Sequence, residues 1–288
     1  EPERVRKLLQ GTASLEFWAT YENQEIYPYL AEANALIAEL EADHSTVAAE
    51  ETAEAVEGDV LAQELGEQAE NAAEDAFAKS NPLFSVLQPA VYNGGLGTGA
   101  CIGFANYTDT ARINRWLNDP QVEALFPAEF KPMWSVHPSS YIGNDNIYEL
   151  IAIKATSRDG KAPLDGGVVT DARVQYGNQG GSPEVGMTMN AEGANIWARM
   201  TKDNIGKQIA IVLDGMVYSY PVVNTEISGG SSQITGNFTL DEAEDLANVL
   251  KSGKLPAPAT IVQEQVVGPS LGSESIRAGL ISFVIAFI

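Results

Sequence analysis

Toward the carboxyl end of the chain, apolar and polar positions follow periods that name the elements directly. Ile209-Ala-Ile-Val-Leu213 and Met216-Val-Tyr-Ser-Tyr220 are β-rich runs either side of Asp214-Gly215, a pair suited to the positive φ angles of a tight turn. A hairpin is predicted there. Leu240, Ala243, Leu246, Ala247 and Leu250 recur at helical spacing, and Thr239 with Glu242 three residues on has the form of a capping box. Asp241, Glu244 and Asp245 lie in the first turns, where the helix dipole favours acids. Gly253, Pro256 and Pro258 stop the helix, and Thr260 to Val267 is a strand candidate closed by Gly268-Pro269. The chain then runs into Ala278 to Ile288, apolar to its last residue. That run is shorter than the roughly 20 residues a span requires. It reads as the start of a transmembrane helix, or as a buried terminal helix.

Earlier segments carry weaker patterns. Val5, Leu8 and Leu9 before Gly11 suggest a short amphipathic helix, and Leu15-Glu-Phe-Trp18 alternates as a strand does. Helix then strand at both ends predicts two halves of one α+β unit, separated by a long insertion. Leu83 to Tyr92 reads as a strand, followed by a glycine-rich turn, extended chain at Cys101 to Phe104, and a helix through Ile113, Trp116 and Leu117. Phe130 to Val136 and Ile147 to Ala155 are further strands. Gly166-Gly167 marks a boundary. Beyond it come a strand at Glu184 to Met189, a helix capped by Asn190, and strands at Val222 to Ile227 and Gln233 to Phe238.

Composition changes this picture at residues 22 to 80, where sixteen acids stand against the single Lys79. Ile26, Leu30, Ala33, Ile37 and Leu40 keep a helical stripe, after which residues 43 to 79 read as a solvated acidic helix or arm. The net charge of −22 excludes nucleic acid as a partner, since phosphates are repelled. The opening Glu1-Pro2-Glu3 reads as a cut from a longer protein.

Candidate chemistry is sparse. The only histidines are His44, in the acidic stretch, and His137, before Pro138; both read as structural or solvated. The single Cys101, between Ala100 and Ile102, reads as a small buried apolar residue. Gly94-Gly-Leu-Gly-Thr-Gly99 lacks the Gly-Lys-Ser/Thr ending of a phosphate loop, and no calcium-loop spacing occurs. No catalytic residue, metal or cofactor is expected. A non-enzymatic role follows, with a membrane-tethered scaffold domain, or an enzyme centred on His137 or Cys101, as alternatives.

Several longer runs point to a family. Thr201-Lys-Asp-Asn-Ile-Gly-Lys-Gln-Ile-Ala-Ile-Val-Leu-Asp-Gly215, Ile234-Thr-Gly-Asn-Phe238, Leu250-Lys-Ser-Gly-Lys-Leu-Pro-Ala-Pro258 and Val266-Val-Gly-Pro-Ser-Leu-Gly272 resemble the SecD family of protein-export membrane proteins. Gly11 to Phe17 and Leu164 to Ala172 look like the family too, while residues 22 to 150 look like the larger insert of some fused SecD–SecF chains. The resemblance implies a first periplasmic domain with a ferredoxin-like base (1–20 and 239–268) and an α+β head (151–238). An insertion (21–150) divides into an acidic helical arm (22–80) and an α+β part (83–150), and residues 269–288 join a transmembrane helix. It further implies a place at the bacterial inner membrane, mainly periplasmic, with unfolded preprotein, SecF, the SecYEG channel and the membrane itself as partners. Preprotein capture would be coupled to the proton-motive force. Gly166, Gly167, Gly236 and Phe238 are the hinge candidates between head and base.

Overall fold

The computed structural model describes residues 14–49, 76–92, 94–157, 159–176, 181–235 and 238–252. The expected amino-terminal helix, the strand at 260–267 and the apolar run at 278–288 lie outside the described residues. The architecture is α+β. Three apolar clusters organise it, and the strands that separate them are buried on both faces.

The first strand, β1 (Leu15–Thr20), pairs antiparallel with β7 (Ile147–Lys154) on one edge and with β11 (Ile209–Leu213) on the other. Beyond β11 lies β12 (Met216–Ser219), and beyond β7 lies β6 (Phe130–Trp134). A parallel bridge between Ser135 and Val217 joins those outer strands. The order β12-β11-β1-β7-β6 therefore closes on itself as a small barrel. The directions agree: four successive antiparallel pairings leave the outermost strands parallel, which is what the bridge requires.

Alternation along each strand explains the three clusters. Trp18, Ala210, Val212, Ile151, Ile153, Met133 and Val217 fill the barrel. Phe17, Ile209 and Ile211 point the other way, into the core beneath the carboxyl-terminal helices. Leu150 and Ala152 point into the core beneath the amino-terminal helix. Continuous apolar runs such as Leu150-Ile-Ala-Ile153 are thus strands covered on both sides, for which strict alternation with polar residues is not needed.

On the amino-terminal side, α1 (Asn23–Ala49) lays Ile26, Leu30, Ala33 and Ile37 against β5 (Cys101–Asn106) and its neighbours, as its stripe predicts. Asn34 interrupts that stripe for a reason. Its side-chain oxygen accepts from the Leu83 and Phe84 amides at 3.1 and 3.2 Å, satisfying the start of a short helix α2 (Pro82–Val86). Leu83 to Tyr92 is accordingly not one strand. Pro82 fits the first turn of a helix, and only β2 (Leu87–Pro89) and β3 (Val91–Tyr92), which hairpins with β4 (Gly95–Leu96), are extended. Two helices, α3 (Thr110–Leu117) and α4 (Pro120–Glu123), add Ile113, Trp116, Leu117 and Val122 to this core.

On the other side, β8 (Leu164–Asp165) adds to β1, and a separate sheet runs β13-β10-β9: Ser231–Ile234, Pro183–Met189 and Val169–Tyr176. Helix α5 (Ala191–Asp203) is capped by Asn190, whose side chain accepts from the Gly193 amide at 2.8 Å. Helix α6 (Leu240–Ser252) opens with the expected box: the Glu242 carboxylate accepts from the Thr239 amide at 2.8 Å, and the Thr239 hydroxyl from the Glu242 amide at 3.3 Å. Its stripe from Ala243 to Leu250 joins Val185, Met187 and Trp197 in one core, while Leu240, at the first turn, is exposed. The hairpin turn is as read, with positive φ at Asp214 and Gly215. Val222 to Ile227 is not a strand; it makes one bridge, Gln208 to Val222, directly after Pro221, which has no N–H to give a ladder. The described parts of the expected base, β1 and α6, are built into these shared sheets and cores.

Candidate functional site

A cleft of about 250 Å³ opens between β13 and the 221–227 segment. Its floor is apolar: Phe17 from β1, Ile209 and Ile211 from β11, Met187 from β10, Trp197 from α5. The Phe17 and Trp197 rings meet edge to face at 5.4 Å, and the Trp197 indole N–H donates to the Ser232 hydroxyl at 2.7 Å. The indole is therefore satisfied and fixed in place. The opposite wall is held as well, because the Ile227 amide donates to the Thr201 hydroxyl at 3.0 Å and that hydroxyl donates to the Trp197 carbonyl at 2.8 Å. The rim is polar but uncharged, with Asn224, Thr225 and Gln233, and Val222 stands 52% exposed beside it.

One side of the cleft is a sheet edge. β13 ends the three-stranded sheet, so half of its main-chain donors and acceptors face away from β10. A strand edge that no described strand pairs, over an apolar floor, suits an extended polypeptide: the backbone adds to the ladder and alternate side chains reach the floor. No charge and no metal is needed for that. Among the described residues no group of three His, Cys, Asp or Glu could hold a metal ion.

Of the residues singled out from the sequence, the described ones, Gly166, Gly167 and Phe238, do not line this cleft. Gly166 is buried beside β1, where a Cβ would sit 2.7 Å from the Leu15 Cβ, and the Gly167 amide donates to the Asp165 carboxylate at 2.8 Å. Phe238 packs partly buried against the core beneath the cleft, ahead of α6. Gly236 lies outside the described residues.

His137 lines a second cavity with Ser135, Glu149 and Tyr220. Its Nε2 is buried with no hydrogen-bond partner among the described residues, and its ring meets Tyr218 edge-on at 5.0 Å. Ser139 donates to the Glu149 carboxylate at 2.5 Å, and Ser135 to the main-chain oxygen of His137 at 2.8 Å. Neither serine is held by the imidazole as an activated nucleophile would be. Cys101 is equally unsuited. Burial pushes its thiol far above the ordinary range, and the nearby Glu149 carboxylate pushes the same way. In the folded chain Cys101 is expected to resist iodoacetamide up to about pH 9, and to react once the chain is unfolded in guanidinium. Rapid labelling of the folded chain, followed by mass spectrometry, would contradict that burial.

Sequence reasoning missed Glu149, although a signal was present: it is the lone acid in Ile147-Tyr-Glu-Leu-Ile-Ala-Ile153 and is 5% exposed. It also missed the cleft, which six separate segments assemble.

Comparison with known proteins bears on this region directly. A family model described as the SecDF P1 head subdomain matches residues 152–257. The protein translocase subunit SecD of Rhodothermus marinus is 44% identical over 288 residues, 97% of this chain and 42% of that protein. SecD of Magnetococcus marinus is 34% identical over 224 residues, covering 73% of this chain and 40% of that protein. A solved structure of SecDF, a membrane component described as enhancing protein export, has 22% identity and a TM-score of 0.37, covering 92% of this chain and 74% of that one. The chain spans less than half the length of these two SecD relatives. The Rhodothermus match runs through the insertion as well as the head, so that insertion has a counterpart in a relative. With 44% identity sustained along nearly its whole length and the head-subdomain model over all of the cleft but Phe17, the chain belongs to the SecD family of protein translocase subunits.

Proposed function

We propose that this chain is the periplasmic portion of a SecD subunit at the bacterial inner membrane, and that its head holds emerging, unfolded preprotein in the cleft beside β13. One observation carries the reading: a cleft with an apolar floor, uncharged among the described residues, lies along a strand edge that no described strand pairs, and all of its lining but Phe17 falls within the residues matched by the head-subdomain model. Main-chain pairing gives affinity without demanding a sequence, as cargo of many kinds requires. Work would come from rotation of the head (151–238), carrying with it β1 and α6, the described parts of the expected base (1–20 and 239–268) that share its sheet and core, with Gly166, Gly167, Gly236 and Phe238 as the hinge candidates. That rotation would be driven by the proton-motive force in concert with SecF and the SecYEG channel. Residues 269–288 would lead into the membrane. Among the described residues no helix is long and apolar enough to cross it.

The full-length protein in detergent, titrated with a fluorescently labelled unfolded polypeptide, tests the cleft. Val222→Glu places a charge on its exposed rim and is expected to weaken binding about tenfold, or about 1.4 kcal/mol. Unchanged affinity would remove the cleft from the binding surface. The enzyme alternative has a cavity at His137 in its favour but no nucleophile paired with a base. A scaffold role predicts that the same substitution leaves polypeptide binding untouched.

A further inference from the structure

The wall of the cleft has a second side. Pro221, Val222 and Thr235 line both the cleft and the cavity of about 350 Å³ that contains His137, so the two adjoin across one extended segment. Their chemistry differs. At the second cavity Glu149 is 5% exposed, aromatic rings of Tyr141, Tyr218, Tyr220 and His137 stand around it, and Glu242 lies on the rim. Among the described residues no lysine or arginine lines this space, and Glu149 forms no ion pair with any of them.

Among the described residues, two donors reach the Glu149 oxygens. The Ser139 hydroxyl donates to one oxygen at 2.5 Å and the Tyr220 hydroxyl donates to the other. A carboxylate offers about four acceptor positions, so each oxygen retains capacity. A buried carboxylate left without a cation is costly, and buried charges are ordinarily paired. A carboxylate set among aromatic faces is the chemistry that holds an ammonium or guanidinium group: the acid supplies charge-assisted hydrogen bonds and the rings supply their negative faces. An anion would meet Glu149, Glu242 and a chain of net charge −22. An apolar group would strip water from Glu149 and give nothing back.

We propose that this cavity takes the side-chain cation of a lysine or arginine carried by the polypeptide lying in the adjoining cleft. This rests on the cleft reading and narrows it: the favoured cargo segment is an extended apolar stretch with a basic residue within about three positions, since a strand advances about 3.3 Å per residue. Recognition stays tolerant of sequence, because the backbone and one cation suffice.

The test uses the full-length protein in detergent and three labelled peptides that share an apolar core and differ at one flanking position: lysine, norleucine or glutamate. Fluorescence anisotropy is expected to give the lysine peptide about tenfold tighter binding than norleucine, with glutamate weaker than both. Glu149→Gln is expected to bring the lysine-to-norleucine ratio close to one. Tyr141→Ala, at a side chain 72% exposed and therefore safe for folding, is expected to lower that ratio about threefold. Equal binding of lysine and norleucine peptides overturns the proposal, as does a lysine preference that survives both substitutions. A second readout separates it from the cleft: n-butylammonium alone is expected to shift the NMR signals of labelled tyrosines, and not in Glu149→Gln. If no peptide binds but butylammonium shifts the tyrosines, the cleft reading fails and the cation site stands. If peptides bind and butylammonium shifts nothing, the cation site fails and the cleft stands.

Discussion

Replacing Trp18 by alanine is expected to destabilise the chain by about 4 kcal/mol, the upper part of the range for losing a buried tryptophan. Trp18 is 1% exposed and is the largest side chain inside the barrel, packed with Ile151, Ile153, Ala210, Val212 and Val217 from three other strands. Those strands are hydrogen-bonded to one another and cannot collapse inward to refill the space, so transfer and cavity terms add. The indole N–H also donates to the Glu16 carboxylate at 2.9 Å, a bond alanine cannot make. A guanidinium titration would show the midpoint falling at constant slope, and a thermal scan a drop of roughly 10 °C. Trp18→Phe should lose less than half as much. A loss below about 1 kcal/mol for the alanine variant would mean that the barrel interior is not packed around this residue.

Gly166→Ala is expected to cost about 2 kcal/mol, a steric effect opposed by a smaller entropic gain. The added Cβ would lie 2.7 Å from the Leu15 Cβ and 2.9 Å from its Cδ2. Because the nearer atom is attached to the backbone of β1, relief requires main-chain movement of a strand paired on both edges. Gly229 supplies the control: nothing lies within 4 Å of a Cβ built there and its φ is not positive, so Gly229→Ala is expected to be neutral or slightly stabilising. Chemical denaturation of both variants decides the matter. A neutral Gly166→Ala would show that β1 and the 164–168 turn are less closely packed than described. Impaired export in cells at unchanged stability would instead mark Gly166 as a moving part.

Much of the local structure was legible because its causes are local. The Asp214-Gly215 turn, the Asn190 cap, the Thr239–Glu242 box and the Ile26 to Ile37 stripe each follow from a few neighbouring residues, and each is present. Closure of the barrel was not legible. Phe17 pairs with Ile211 and Thr20 with Ile153, partners that no period along the chain identifies. Strands covered on both faces lose the alternation that would have shown which side each one buries. The cleft was hidden for the same reason: its floor joins Phe17 to Trp197 and Ile209 across long separations. Leu83 to Tyr92 misled because Pro82 and Asn34 together favour a helical turn over apolar residues that otherwise suit a strand.

Two of the five staves around Trp18, β6 and β7, come from the stretch between the acidic region and the head, and the remaining three come from its flanks. That stretch is consequently no detachable ornament. Excising residues 83–154 would leave a three-stave remnant with its tryptophan bared to water, so any shorter homologue must have built this wall from other material. Insertions and deletions should instead be tolerated in loops that bear no stave and pack against none.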